Sequence, residues 1–293
     1  MSKKKKVNPL KSAGLSINKI RKKLSKLNKY HWSLMAVVSL ILTLWITVQV
    51  TNHRLNVTMV AIDTGVLEFE PIQEVTQWHN REARFVYLTF NDGPSRNTNR
   101  IMDILESYDI AGTFFVLGSN IQNNPNSEQI LNRMIEDGHY IGLHSMTRDP
   151  NYLYREENAP QNFLNEMLEV QKLVSEKTGG FESSLCRAPL GTSGTFSSEH
   201  IELISSSELN CWDWHIDARD WSPITVEDVM TNIETGMMLW RNPKQVVVLF
   251  QESEVAIAAL PQVIEYYLNL GYEFLPYNPI QHFPVNFINN PDL

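Results

Sequence analysis

The chain has 293 residues, 43% of them apolar and 20% charged, the composition of a globular protein with room for one large α/β domain or two small ones. Its formal charge of −8 is unevenly spread: eleven of the 25 Lys and Arg fall between Lys3 and Lys29 with no acid among them, leaving 14 bases against 33 acids, a formal −19, for the remainder. A body this acidic argues against long anionic polymers as ligands, and the basic stretch adjoins an apolar run rather than a second basic surface, which argues against nucleic acid.

The basic tail spans residues 1–31 and leads into Ser33 to Val50, an uncharged run with Trp32 at its edge. Eighteen residues are near the lower limit for crossing a hydrocarbon core of roughly 30 Å, and a Trp at the boundary is a common interfacial anchor. A buried helix is the alternative, but no polar face interrupts the run. The basic region is too long for a cleaved signal peptide, and no small-x-small cleavage site follows. Residues 32–51 are therefore expected to be a transmembrane signal anchor. The Lys and Arg bias places the tail in the cytoplasm and the main domain outside the cell. Residues 52–83 show no clear period and read as a linker or stalk.

From Arg84 a rhythm sets in. Apolar runs at 84–91, 112–117, 139–144, 183–187, 209–215, 246–251 and 272–276 alternate with amphipathic stretches near 97–108, 121–137, 160–177, 195–208, 225–239 and 255–270, the pattern of βα units around a parallel sheet. The stretch from Pro160 to Lys177 carries Phe163, Leu164, Met167, Leu168 and Val174 at helical spacing and stops at Gly179-Gly180. Seven strands and six helices predict an α/β fold, a distorted (β/α)7 TIM-like barrel over 84–277, with an open doubly wound sheet as the alternative and 278–293 as a C-terminal tail. A barrel places its chemistry at the C-terminal ends of the strands. There Asn91 and Asp92, His144, Arg187, Asp217 and Asp220, and Gln251 all fall. Cys186 and Cys211 lie in expected strands and read either as two buried thiols or as a disulfide.

The stretch Leu88-Thr89-Phe90-Asn91-Asp92-Gly93-Pro94 closely resembles the first motif of the polysaccharide deacetylases, the NodB-homology domain of carbohydrate esterase family four, in which the first of the two central residues is Asp rather than Asn. Further matches follow in order: Ala111 to Gly118, Asp137 to Ser145, Arg187-Ala188-Pro189-Leu190-Gly191, and Asp217-Ala218-Arg219-Asp220-Trp221. The resemblance implies the barrel fold and a metal-dependent N-deacetylase of N-acetylated glycans such as peptidoglycan. It also implies a zinc or similar ion on one Asp and two His.

Carried over residue by residue, Asp92 and His144 match the first two metal ligands, while the third position is Arg148. An Arg side chain only donates and cannot ligate a cation; about 4 Å from a dication it would cost roughly 8 kcal/mol at an effective dielectric of 20. Asn91 stands at the general-base position and has no useful basicity, and Gln251 replaces the general-acid His of Leu-x-His. Arg187 loses its carboxylate partner and is expected to turn to Asp217 or Asp220, and an Asp220–Gln251 hydrogen bond is expected to keep the shape of the rim. Arg148 is expected either to pair with Asp92 in place of the ion or to point into solvent. Trp221, Arg187 and Pro189 are the expected substrate-binding residues. The site so read is a pseudoenzyme's, in a membrane-anchored protein of cell-wall carbohydrate metabolism that binds glycan or wall-synthesis proteins. The rivals are a working metal-dependent deacetylase with an atypical site and a structural subunit of a membrane assembly.

Overall fold

The computed structural model describes residues 83–293, so the basic tail, the expected anchor and the linker up to residue 82 lie outside the described residues. Among the described residues no helix is long and apolar enough to cross a membrane.

In chain order the elements are β1 (Phe85–Gly93), α1 (Thr98–Ser107), β2 (Thr113–Val116), α2 (Gly118–Asn123), α3 (Ser127–Glu136), β3 (Tyr140–Leu143), α4 (Pro150–Tyr154), α5 (Ala159–Thr178), β4 (Leu185–Cys186), α6 (Ser198–Ser205), β5 (Asn210–Cys211), β6 (Ile216–Asp217), α7 (Val226–Leu239), β7 (Gln245–Gln251), α8 (Glu254–Asn269) and β8 (Glu273–Phe274). The strands pair in the order β5-β4-β3-β2-β1-β7-β6, all parallel. β7 occupies one edge of β1 from Phe85 to Asn91, and β2 takes the other edge only from Thr89. The free lower part of that second edge is where β8 pairs, at Phe85 and Val86.

Period-two alternation sorts the side chains into two cores. Val86, Leu88, Phe90, Phe114, Val116, Ile141, Leu143, Val246, Val248 and Phe250 face outward against the helices. Tyr87, Phe115, Tyr140, Leu185, Trp212 and Val247 face inward and pack on Tyr277 and Val285. Rings from separate parts of the chain meet there: Tyr87 of β1 lies 5.4 Å from Trp212, just past β5, and Trp212 lies 4.8 Å from Tyr277, past β8. The sheet therefore curves into a half-barrel of parallel strands, consistent with the expected (β/α) barrel fold, with β5 and β6 at its unpaired ends.

Three expectations need correction. The single strand expected at 209–215 is two short strands, so the described residues hold eight strands instead of seven. Beyond Cys211 the chain leaves β4, the Trp212 and Asp213 carbonyls turn to the Arg187 guanidinium, and pairing resumes against β7 only at Ile216. The helix expected over 121–137 is α2 and α3, because Pro125 forces Asn124 into extended backbone (φ −97°, ψ 111°). Residues 278–293, set apart as a tail, pack onto the barrel: Val285 bridges Trp212, and Val285 and Leu293 are buried. One helix was unforeseen, α4, whose start is written in Asp149-Pro150: the Asp149 carboxylate caps Asn151 N–H at 2.9 Å and Pro occupies the first turn.

Candidate active site at the strand ends

The inward phase that buries aromatics lower in the barrel carries polar residues at the C-terminal strand ends. Asn91 and Gln251 are register partners across β1 and β7. Asn91, His144 and Gln251 line a cavity of about 640 Å³ with Asp92, Arg148, Trp214, Asp217, Trp221 and Glu252. Strict alternation would send Asp92 to the opposite face from Asn91. A register shift between Asn91 and Gly93, with Asp92 at φ 67°, removes that conflict. The bulge puts two successive side chains on one rim.

Left-handed backbone at residues other than glycine recurs around this rim: Asp92, Ser145 (φ 72°), Arg148 (φ 57°), Leu190 (φ 72°) and Arg219 (φ 58°). Such conformations cost on the order of 1–3 kcal/mol each and persist where surrounding bonds over-determine them, typically at ligand sites. The loop after β3 shows the means. Glu166 on α5, buried, accepts from Met146 N (2.9 Å), Thr147 N (3.1 Å) and Thr147 Oγ1 (2.8 Å), and Arg148 N donates to Ser145 Oγ at 3.0 Å.

That loop delivers the Arg148 guanidinium onto Asp92, Nη1 donating to Oδ2. Of the two alternatives open in the sequence, the pair is the one formed. Burial raises the Asp92 carboxyl above its ordinary pKa, and the Arg148 charge works against that rise. His144 is 1% exposed. Its Nδ1 lies 2.9 Å from the Arg187 carbonyl oxygen and its Nε2 lies 3.6 Å from Asp92 Oδ1. Burial, helped by the Arg148 charge, depresses His144 to about 3, so the ring is neutral; donating from Nδ1 leaves the Nε2 lone pair turned to the cavity. Asp92 Oδ1 is buried and has no hydrogen-bond partner. Two of the family's ligand positions thus keep an oriented lone pair, and at the third a cation stands. The set does not fit a metal held by three protein ligands, and among the described residues no group of three or more His, Cys, Asp or Glu is placed to hold an ion.

Arg187 does not turn to Asp217 or Asp220. Its Nε donates to Trp212 O (3.0 Å), Nη2 to Asp213 O (2.9 Å), and Nη1 to Thr89 Oγ1 (2.7 Å) and Asn91 Oδ1 (3.1 Å), while the guanidinium lies 3.9 Å from the Phe115 ring centre. Burial lowers it to about 9, and the carboxylate that chiefly opposes the fall is Asp213. Asp213 is itself buried, with Thr192 and Phe287 N–H bonded to its oxygens. Arg187 therefore braces the floor from inside the barrel and does not line the cavity. Pro189 is buried too, its carbonyl accepting from Tyr154 Oη at 2.7 Å. Its neighbour Leu190, 65% exposed, lines the cavity in its place. Trp221 is where it was expected, 64% exposed on the rim, with Nε1 donating to Asp217 Oδ2 at 3.4 Å.

Asp220 accepts from the Gln251 backbone N–H (2.9 and 3.0 Å) and from Ser253 Oγ (2.8 Å), not from the Gln251 amide. Burial lifts it to about 6, and Gln251 Oε1 is left buried without a partner. Glu252 went unnoticed in the sequence. Its Oε2 accepts from Ser95 N, Ser95 Oγ and Thr98 Oγ1, while Oε1 is buried and unpartnered; burial lifts the group to about 7, with Asp92 adding to the rise. The sole sequence signal was its place next to Gln251.

The outward-facing Cys186 and Cys211 are register partners in β4 and β5 and are free thiols, both buried. A hydrogen bond with Cys186, and then burial, hold the Cys211 thiol well above its ordinary value.

The geometry agrees with what comparison with known proteins finds. Residues 79–211 match the family model described as polysaccharide deacetylase. A peptidoglycan-N-acetylglucosamine deacetylase of Bacillus cereus is 30% identical over 215 residues, 72% of this chain and 76% of that one. Among solved structures, the polysaccharide deacetylase Bc1974 from Bacillus cereus superposes with a TM-score of 0.64 at 30% identity, over 72% of this chain and 100% of that chain. A Streptococcus mutans CE4 esterase does so with a TM-score of 0.62 at 27% identity, over 71% and 92%. The chain belongs to the polysaccharide deacetylase family.

Proposed function

We propose that this protein is a membrane-anchored, extracytoplasmic member of the family that binds N-acetylated cell-wall glycan, beside the proteins that build the wall, without hydrolysing it. The observation that carries the reading is the Arg148 guanidinium seated on Asp92. The family's chemistry uses a divalent ion to polarise the amide carbonyl and the water that attacks it. Here the third ligand position holds a positive charge. Asn91 orients a water but takes no proton from it, and the Gln251 amide donates a hydrogen bond but transfers no proton. What remains is a shaped cup with Trp221 exposed on its lip, suited to stacking on a sugar face, and polar atoms within. The anchor rests on the run Ser33 to Val50, and the glycan class on relatives named for peptidoglycan N-acetylglucosamine.

The test is a calorimetric zinc titration of the purified protein, paired with acetate release from N-acetylglucosamine oligomers and peptidoglycan. The reading expects no stoichiometric zinc binding at micromolar concentrations and no acetate. It also expects oligosaccharide binding that weakens in Trp221→Ala. One observation favours a second reading, a metal-dependent deacetylase with an unusual ligand set: Asp92 Oδ1 is buried without a partner beside the His144 Nε2 lone pair. Zinc-dependent acetate release abolished by His144→Ala would establish that reading and end the first.

A further inference from the structure

The end of the barrel opposite the cavity exposes large apolar side chains where α7 and α8 finish. Met238 is 77% exposed, Leu239 78% and Trp240 51%, with Leu268 and Leu270 at 45% and 38%. The two groups share one face, because the loops carrying them are tied together: Tyr272 Oη donates to the Pro243 carbonyl. The chain enters the domain at this same place. Phe85 N donates to Lys244 O at 2.7 Å, Glu273 N to Arg84 O at 2.8 Å, and the Arg84 guanidinium lies 5.8 Å from the centre of the Tyr272 ring. Trp240 is oriented by its Nε1, which donates to His215 O at 2.8 Å, so the ring is held at the surface rather than folded inward. Exposed Trp, Leu and Met beside Arg84 and Arg241 make up the chemistry of a membrane interface, where aromatic rings sit at headgroup depth and Arg reaches the phosphates.

We propose that this face rests on the lipid bilayer surface, with Met238, Leu239, Trp240, Leu268 and Leu270 entering the headgroup boundary. The inference builds on the membrane-anchor reading above. The apolar run of the expected anchor ends at Val50 and the domain begins at Phe85, on this same face, so an anchored domain would present this end to the membrane. β1, nine residues long, then holds the cavity roughly 30 Å above the lipid and opens it away from the membrane.

The full-length chain carrying Leu239→Cys or, on the cavity rim, Leu190→Cys is labelled with an environment-sensitive fluorophore, Cys186 and Cys211 being buried. It is then reconstituted into phosphatidylglycerol–phosphatidylethanolamine vesicles containing nitroxide-labelled lipid. Quenching at position 239 at least about two-fold stronger than at 190 is expected. Equal quenching at the two positions overturns the inference, as does a label at 239 that iodide cannot reach and lipid does not quench, since a protein segment then covers the face. Alkaline carbonate extraction tests the anchor separately. Protein that stays in the vesicles with no quenching at 239 keeps the anchor and loses this inference. Protein that washes out after strong quenching at 239 loses the anchor and keeps the inference.

Discussion

Arg148 and Asp92 neutralise each other in a bond partly open to solvent, their side chains 39% and 23% exposed, so what the pair does for the site outweighs what it adds to stability, ~1 kcal/mol at most. Replacing Arg148 removes the cation and need not disturb the scaffold. Arg148→His supplies a third lone pair beside His144 Nε2 and Asp92 Oδ1. We expect stoichiometric zinc binding at micromolar affinity or better by calorimetry, lost again when Asp92→Ala is added. Turnover needs more. Acetate release is expected only when Asn91→Asp and Gln251→His accompany Arg148→His, each acid–base group contributing roughly 10²–10⁴-fold. Arg187 is the opposite case, a charge wholly inside the barrel. Arg187→Met forfeits four hydrogen bonds and leaves the buried Asp213 carboxylate without its counter-charge; the cost should be about 3–5 kcal/mol in urea denaturation.

At the level of elements, the rim depends on loops fixed from outside. Glu166 reaches from α5 to hold three donors of the segment that presents Arg148. Glu166→Gln keeps the shape and gives up part of that acceptance. It should lower stability by about 1–3 kcal/mol and speed hydrogen exchange at the Met146 and Thr147 amides while leaving β1 protected. Much of this architecture was legible in the sequence. The helix of Phe163 and Met167 ends where Gly179 takes left-handed backbone (φ 71°), and the strand tips hold the polar residues expected of them. The parts that were not legible have physical causes. A run such as Asn210 to His215 looks like one strand because its side chains suit a strand, yet its carbonyls are claimed by a guanidinium brought from β4. The partner of Arg187 was sought among carboxylates, whereas two backbone carbonyls and the side-chain oxygens of Thr89 and Asn91 accept from its donors. Glu252 carries no motif, and its environment is assembled from Ser95 and Thr98, more than 150 residues away in sequence.

Across the whole molecule, raised carboxyls couple stability to pH. Glu252 titrates near 4.5 when unfolded and at about 7 when folded, so between those values the native state holds a proton the unfolded chain lacks. Unfolding free energy then falls as pH rises: the contribution is complete below 4.5 and gone once pH passes 7. Glu252→Gln carries no titrating group and keeps an oxygen where Oε2 accepts its bonds. Its stability measured by urea denaturation should decline less than the wild type's between pH 5 and pH 8, by about 1–3 kcal/mol. A rising difference in the other direction would mean that Glu252 is charged and paired in the fold. The segregation of charge belongs to this scale as well. A body with a formal charge of −19 repels polyanions and offers no such barrier to neutral sugars.

The extra residue at Asp92 has an evolutionary reach beyond its geometry. Because the kink in β1 seats neighbours 91 and 92 on the same lip whatever their chemistry, an exchange of carboxylate for amide at the first of them asks nothing of the backbone. A lineage that exchanges them changes what faces the cavity and what the buried Arg187 guanidinium meets at Asn91 Oδ1, and leaves alone the strand that presents them.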